Sequence, residues 1–392
     1  MTNGPDEIVR RSIAQSLELM RRGDANSAFE LLAQVAATRP GDTEVALHQA
    51  LALRVMGRLS DALRMLDEVL AREPYFFLAL LSKGAVLELM GRPRRAAGAY
   101  RDALRIAPTT NVPQALVSQI DHARRVVAAD ASALAAHLRD AVSAARAEHR
   151  GASLARFDES LAILAGTARV HESRPVQLHV PRLPAIPFFD RELFPWLPRL
   201  EAATDSVRRE AAALLDAGLP GFSPYVAYRP GTPVNQWAEL NHSMRWSSLW
   251  LWRDGVRQDA AIARCPETAA LLAELPLADQ PGFAPTALFS ALAPRTRIPP
   301  HHGSTNARLL VHLPLILPGP AGFRVGNEVR SWRIAEAWVF DDTIEHEAWN
   351  DADAPRLIMI FDIWNPLLSA AERTLITQML TARARWEEPE VG

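Results

Sequence analysis

Histidines in the second half of the chain are the residues whose types and spacing could do chemistry. The stretch PPHHGSTNARLLVHL, residues 299–313, places His301 after two prolines at the start of a predicted strand. The later stretch DDTIEHEAW places His346 on another predicted strand. Neutral imidazoles are suitable ligands for Fe, Zn, Cu or Ni. We predict that these two histidines form a metal-ligand pair. Considered alone they would be read as ordinary core or surface residues, so the prediction depends on what surrounds them.

An arginine follows the second histidine across the turn NDADAP. Arg356 opens the strongly apolar run RLIMIFDIW, which predicts a strand that carries the guanidinium into a barrel. A buried guanidinium needs an anionic partner, because burying it unpaired is costly, and it binds a carboxylate bidentately. Two metal-binding histidines and one such arginine fit a non-haem iron site for 2-oxoglutarate. The keto acid end of that molecule chelates iron, and its far carboxylate needs a cation deeper in the barrel.

A β-rich second half must position these side chains. Short runs rich in branched and aromatic residues, separated by Gly, Pro, Asp and Asn, extend from SSLWLW to RLIMIFDIW. Many short strands at this spacing predict an antiparallel sandwich or jelly roll, in which the strands of His301 and His346 can be neighbours at the barrel mouth. Helical patterns flank the strands at 190–218 and from Ser369 onwards. We predict a double-stranded β-helix (jelly-roll) domain over residues 186–392.

The first half of the chain repeats itself with a period of 34 residues. Three residue types recur in register: Gly23, Gly57 and Gly91, then Ala28, Ala62 and Ala96, then Pro40, Pro74 and Pro108. A glycine turn, a small residue where two helices touch and a closing proline resemble the tetratricopeptide repeat. We predict an all-α solenoid over residues 1–165, with repeats at about 9–42, 43–76 and 77–110 followed by capping helices. Its concave face would present a peptide or protein, or its helices would only brace the second domain or a dimer.

The segment between the two halves, residues 166–185, is predicted to be a linker. It contains Pro175, Pro181 and Pro184, each of which resists helix continuation. All ten tryptophans of the chain lie after it. The predicted fold class is therefore multidomain, with an all-α solenoid followed by a jelly roll.

Composition excludes several classes of protein. A net charge of −2 over 392 residues implies no nucleic-acid partner. Neither a signal-peptide core nor a run of about 18 apolar residues occurs, so we expect no membrane span and a cytoplasmic location. Cys265 is the only cysteine and Lys83 the only lysine. These counts exclude an internal disulfide framework and disfavour a P-loop or a lysine Schiff base.

Three blocks of the second half resemble the aspartyl/asparaginyl β-hydroxylase family. They are FSALAPRTRIPPHHGSTNARLLVHL, GNEVRSWRIAEAWVFDDTIEHEAWNDADAPRLIMIFDIW and, more weakly, LWLWRDG with ARCPETAALL. The resemblance covers roughly residues 185–375 and follows the family order of motifs.

The resemblance implies a role for each matched residue. His301 and His346 would bind Fe(II). Arg356, with Ser290, would hold the far carboxylate of the cosubstrate 2-oxoglutarate. His312 would lie beside the cosubstrate.

The strand ARLLVHL departs from the family pattern. The family has arginine where this chain has Leu310, which shares one strand face with Arg308 and His312. We assign Arg308, like His312, to the cosubstrate site. One cation is missing near the iron, which puts an acidic substrate in doubt. Four other arginines are candidates to replace it: Arg245, Arg253, Arg295 and Arg297.

Gly303 stands where most non-haem iron sites place a carboxylate ligand. The family resembled also has glycine there, and the vacant position can hold water. Iron halogenases likewise have a small residue at this point, so only the surrounding STN, FDD and EHEAW motifs favour a hydroxylase. Asp341 and Asp342 are expected to hold the turn and orient His346, and His302 is expected at the rim.

The predicted activity is that of an Fe(II)/2-oxoglutarate-dependent dioxygenase. It would use O₂ to hydroxylate an unactivated C–H bond and release succinate and CO₂. The expected substrate is an Asp or Asn residue of a peptide or protein, which the repeats would present. The alternatives are a small molecule or a lipid acyl chain. Two other classes stay open: a repeat-based adaptor with an inactive jelly roll, and a cupin-like hydrolase or isomerase.

Overall fold

The computed structural model describes residues 5–110, 112–149 and 151–387, so the outermost residues of both predicted domains lie outside the described part. The chain divides into two compact units between Arg169 and Val170. Within the described ranges, no helix has the length and apolar character needed to cross a bilayer.

The first unit is entirely helical. Its helices are α1 (Pro5–Arg21), α2 (Ala25–Thr38), α3 (Thr43–Val55), α4 (Leu59–Arg72), α5 (Phe77–Leu89), α6 (Pro93–Arg105), α7 (Gln114–Ala141), α8 (Ser143–Glu148) and α9 (Ala155–Ala165).

Helices α1 to α6 form three antiparallel pairs that confirm the predicted repeat. Each pair turns at a glycine with positive φ, and the repeating alanines are fully buried where the helices meet. A backbone with positive φ is strained for residues with a Cβ, which explains the glycine. Helix α7 packs on α6, and α9 packs on α7. The helices predicted to follow the third repeat are therefore present.

The second unit combines a β-sandwich with helices. Its strands are β1 (Ser223–Pro224), β2 (Trp246–Arg253), β3 (Val256–Arg257), β4 (Ala287–Leu292), β5 (Thr296–His301), β6 (Arg308–Ile316), β7 (Ala321–Val325), β8 (Glu328–Ser331), β9 (Trp338–Phe340), β10 (His346–Asn350) and β11 (Arg356–Trp364). Its helices are α10 (Leu197–Ala202), α11 (Thr204–Asp216), α12 (Asp259–Ile262), α13 (Pro266–Ala273) and α14 (Ala370–Glu387), with short 3₁₀ turns at Arg191–Leu193 and Asn235–Trp237. Ser369 and Glu372 form a capping box at the start of α14.

The strands form two antiparallel sheets. The larger has the order β1-β2-β4-β11-β6-β9, with β3 beside β2, and the smaller has the order β5-β10-β7-β8. From β4 onwards the chain passes repeatedly between the sheets, as a jelly roll requires. Helices α10, α11 and α13 pack against the outer face of the larger sheet. The apolar interior between the sheets includes Ile298 and Phe323 from one sheet and Phe340 and Ile358 from the other.

The second half of the predicted linker lies against the sandwich. Val176 donates its backbone N–H to the carbonyl of Gly303 at 3.0 Å, and Val180 donates to Asn306 Oδ1 at 2.7 Å. Arg174 donates to the carbonyl of Thr343 at 2.8 Å. These bonds attach the segment to the loop that follows β5 and to the turn that precedes β10.

Candidate active site

The two histidines predicted as metal ligands are neighbours across the smaller sheet. His301 ends β5, His346 begins β10, and the antiparallel register pairs them directly. Their ring centroids are 4.0 Å apart. The Nδ1 of His301 lies 2.8 Å from the carbonyl of Pro299, and that of His346 lies 3.0 Å from the carbonyl of Ile344. Each ring is thereby oriented by its Nδ1, which makes Nε2 the atom that a metal would bind.

The surroundings of both rings favour the neutral imidazole, which is the form that binds a metal. Burial lowers the pKa of His301 to about 4 and the pKa of His346 well below its usual value. Both imidazoles are therefore neutral at physiological pH, as a metal ligand must be. Among the described residues, no three His, Cys, Asp or Glu side chains converge as a metal site. A pair of neutral, oriented imidazoles nevertheless fits iron with two protein ligands.

Asp342 fills the space beside Gly303. The N–H of Gly303 donates to the Asp342 carbonyl at 2.7 Å, and a Cβ added at Gly303 would collide with the Asp342 carboxylate. The space that we expected for a water beside Gly303 therefore contains an acidic side chain. Burial, with a contribution from Asp341, raises the pKa of Asp342 to about 8.

The neighbouring aspartate has the predicted structural role. Asp341 accepts hydrogen bonds from the N–H and the hydroxyl of Thr343, at 2.9 and 2.5 Å, and so holds the turn before β10. The pairing of Gly303 with Asp342 could have been suspected from a glycine at a ligand position and a double aspartate downstream. The sequence does not show which aspartate reaches the glycine.

Among the residues that the structure describes, Arg356 is a buried cation without an acidic partner. It is 1% exposed, and neither its Nε nor its Nη1 has a hydrogen-bond partner. Its guanidinium lies 5.2 Å from the centroid of the Trp332 ring. Burial lowers the pKa of Arg356 to about 9, which still leaves it charged at neutral pH. Such a group is stabilised by an anion that brings its own hydrogen-bond acceptors.

The other predicted cosubstrate residues lie close by, with one exception. Ser290 pairs with Ile358 across β4 and β11, and its Oγ accepts a bond from the Trp246 indole at 3.1 Å. His312 is buried, and its Nδ1 has no partner. These residues line one cavity of about 380 Å³ with both metal-ligand histidines and Arg356.

Arg308 is not among the residues that line this cavity, although strand alternation puts it on the same face as His312. Its guanidinium pairs with the Asp362 carboxylate on β11 and donates to the carbonyl of Phe283 at 2.9 Å. Its predicted role at the cosubstrate therefore stays a prediction without support from the cavity lining.

The cavity wall contains residues that the sequence analysis missed. An aromatic wall made of Tyr225, Tyr228, Trp237 and Trp246 lines it, mostly from the loop before β2. Trp237 lies edge-on to His301, with centroids 5.0 Å apart. The tryptophan-rich composition of this region was the only available signal. Composition does not show that the loop folds over the metal-ligand histidines.

The mouth of the cavity is poor in positive charge. Leu310 lines it together with Leu288, Ile298 and Ile360. Among the described lining residues, Arg356 is the only arginine or lysine. The four arginines considered as replacements form ion pairs with other residues instead. The pairs are Arg245–Glu239, Arg253–Asp254, Arg295–Asp353 and Arg297–Asp351.

Comparisons with known proteins confirm both resemblances. Residues 201–366 match the family model of aspartyl/asparaginyl β-hydroxylases, and residues 19–75 match a tetratricopeptide repeat model. An ornithine lipid ester-linked acyl 2-hydroxylase of Rhizobium tropici is 34% identical over 47% of this chain and 63% of its own length. The human aspartyl/asparaginyl β-hydroxylase is 38% identical over 45% of this chain and 23% of its own length. The matches therefore span less than two thirds of these relatives, and they support a hydroxylase.

Proposed function

We propose that this protein is an Fe(II)/2-oxoglutarate-dependent dioxygenase that hydroxylates an unactivated C–H bond. The observation that carries the proposal is the unpaired Arg356 in the same cavity as two neutral, oriented imidazoles. A zinc hydrolase or a simple cupin has no use for a buried guanidinium without a partner. A dicarboxylate that chelates a metal at one end and carries a free carboxylate at the other satisfies both features.

The side chains of the cavity then have distinct tasks. His301 and His346 would hold the iron, which with 2-oxoglutarate and O₂ supplies the oxidising power for hydroxylation. Arg356 would bind the far carboxylate bidentately, and the Ser290 hydroxyl would donate a further hydrogen bond. The aromatic wall would exclude water from the reacting C–H bond.

The substrate class follows from the charges around the metal. The human relative is a hydroxylase of aspartyl and asparaginyl residues, and the R. tropici relative is an acyl hydroxylase. Among the described lining residues Arg356 is the only arginine or lysine, and it is assigned to the cosubstrate, so a substrate carboxylate beside Leu310 would find no free cation. An asparagine side chain avoids this conflict, and so does a hydrocarbon chain, which is therefore the second candidate substrate. The concave face of the repeats would present a polypeptide substrate.

An anaerobic titration tests this proposal. Protein loaded with Fe(II) and then with 2-oxoglutarate should develop the weak visible charge-transfer band of a chelated keto acid. His346→Ala should abolish the band, iron retention and succinate formation, because one imidazole holds Fe(II) poorly against water. His302→Ala is the matched control and should keep the band. A wild-type protein without the band would favour the adaptor or the cupin-like alternative.

A further inference from the structure

A continuous series of aromatic rings connects the metal-ligand pair to the surface. Trp237 lies 5.0 Å from His301, Trp246 lies 5.9 Å from Trp237, and Tyr225 stacks on Trp246 at 3.9 Å. Tyr225 is 39% exposed, whereas Trp246 is buried. Trp250 also stacks on Tyr225, with ring centroids 5.6 Å apart. Neighbouring rings in the series are therefore in direct or nearly direct contact.

The order of residue types in this series has a direction. Indoles lie next to the metal ligand, and a phenol lies at the exposed end. Burial of the hydroxyl raises the pKa of Tyr225 to about 12, but a phenol that loses its proton together with its electron is easier to oxidise than an indole. An electron hole created near His301 would therefore pass from Trp237 to Trp246 and then to Tyr225.

The other aromatic cluster near the metal-ligand pair lacks these properties. Phe323 and Phe340 are the rings beside His346, both with centroids 5.9 Å away. Phenylalanine is much harder to oxidise than tryptophan or tyrosine. Behind them Trp332 and Trp338 are 7% and 4% exposed, so this cluster has no exit to solvent. The rings beside His346 therefore belong to the apolar core, whereas the series that begins at Trp237 reaches the surface.

We infer that Trp237, Trp246 and Tyr225 form a hole-transfer relay that protects the site when it is oxidised without substrate. This inference rests on the proposed function, in which bound iron with 2-oxoglutarate and O₂ would supply the oxidant. Trp237 would lose one electron on the His301 side and regain it from Trp246, and Trp246 would regain its electron from Tyr225. The Tyr225 phenol loses its proton to solvent as its electron leaves. An enediol or thiol reductant in solution then returns one electron, and solvent returns the proton.

The relay is tested by self-oxidation of the loaded enzyme. Protein with Fe(II) and 2-oxoglutarate is exposed to O₂ without substrate, frozen for electron paramagnetic resonance, and digested for mass spectrometry. The wild type should show a tyrosyl radical. Tyr225→Phe keeps the stacked ring but removes the phenol, so the radical should disappear. One-oxygen additions to Trp237, Trp246 or His301 should rise severalfold in that variant.

Tyr228→Phe is the matched control. Tyr228 lines the same cavity but, among the described residues, stacks on none of these rings. This variant should keep the radical and the wild-type pattern of oxygen additions. If both variants behave alike, or if Tyr225→Phe matches the wild type, the relay is wrong.

A metal-free measurement separates this inference from the proposed function. Azide radicals generated by pulse radiolysis oxidise tryptophans, and transfer to tyrosine is followed by the decay of the indolyl absorption and the rise of the phenoxyl absorption. The transfer should slow severalfold in Tyr225→Phe and not in Tyr228→Phe. Transfer through Tyr225 without any iron-dependent band would overturn the proposed function but keep the relay path. Equal rates in wild type and Tyr225→Phe would overturn the relay.

Discussion

Arg356 is buried, and no acidic side chain in the described part of the chain neutralises it. Replacing it with alanine should raise the KM for 2-oxoglutarate steeply and leave iron binding intact, because the metal ligands are on other strands. The expected loss is about 2–5 kcal/mol, as for a desolvated charge pair. Succinate formation at varied 2-oxoglutarate, together with iron content, measures this. Arg297→Ala, which removes an exposed arginine of β5, is the control, and a similar KM in both variants would remove Arg356 from the cosubstrate site.

Asp342 predicts an unusual pH dependence of stability. Burial raises the pKa of Asp342 to about 8, whereas an aspartate in an unfolded chain has a pKa of about 3.9. The folded state therefore holds a proton that the unfolded state releases, so the free energy of unfolding falls as pH rises between these values. Asp342→Asn should flatten this slope in the metal-free protein. Burial also raises the pKa of Asp362, to about 6, so chemical unfolding should be compared between about pH 6.5 and about pH 8.5. The same slope in wild type and variant would contradict the assignment.

Leu310 is expected to set the charge preference of the substrate. A leucine offers neither charge nor a hydrogen bond and disfavours a carboxylate buried beside it. Leu310→Arg should weaken the native substrate and improve acceptance of an aspartate-containing peptide. Matched Asp and Asn peptides in competition, followed by mass shift, measure the preference of parent and variant. A parent enzyme that already prefers Asp, and gains nothing from the arginine, would show that another cation serves this position.

At the residue scale, the sequence predicted side chains whose role depends on their type and strand position. His301, His346, Ser290, His312 and Arg356 meet in one cavity because the strands that carry them pair in the expected way. Whether they bind iron and 2-oxoglutarate stays a prediction. The pairing of Arg308 was not foreseen, because strand alternation fixes a face but not a partner. The carboxylate that it binds is on a neighbouring strand, 54 residues later in the sequence.

At the scale of elements, the packing of paired helices in the repeats depends on a small residue on one helix facing a large side chain on the other. Gly84 on α5 faces the ring of Tyr100 on α6 so closely that an added Cβ would collide with it. Gly84→Ala should therefore destabilise the first unit by about 1–3 kcal/mol. Gly98 on α6 faces open space, and Gly98→Ala should stabilise the same unit by about 0.5–1 kcal/mol. Urea unfolding followed by circular dichroism measures both, and equal effects would contradict the packing argument.

Elements with a repeat or a short apolar run were the ones that sequence could predict. The period of 34 residues gave the helix pairs, and the apolar run RLIMIFDIW gave strand β11. The loop before β2 has neither, so its fold over the metal-ligand histidines was not foreseen. The segment after Val170 was expected as a linker because of its prolines. Its hydrogen bonds go to groups of the second unit that no local pattern reveals.

At the scale of the whole molecule, the two units can be separated experimentally between Arg169 and Val170. Residues 170–392 alone should keep substrate-free turnover of 2-oxoglutarate, because every residue of the cavity lies in this unit. If the repeats present a polypeptide, hydroxylation of that polypeptide should collapse in the truncated protein. The two activities are measured as succinate release and as mass shift of the substrate. Equal hydroxylation by the truncated and whole chains would leave the helices as a brace or an assembly surface.

The contact between Gly303 and Asp342 also limits how this site could change during evolution. A switch to the commoner iron site requires a carboxylate at position 303, and its first carbon would collide with Asp342. Shrinking Asp342 first would leave a gap beside the metal without supplying a ligand. A side chain at position 303 and the Asp342 carboxylate would therefore compete for the same space. A change at position 303 requires the Asp342 side chain to move or to be replaced.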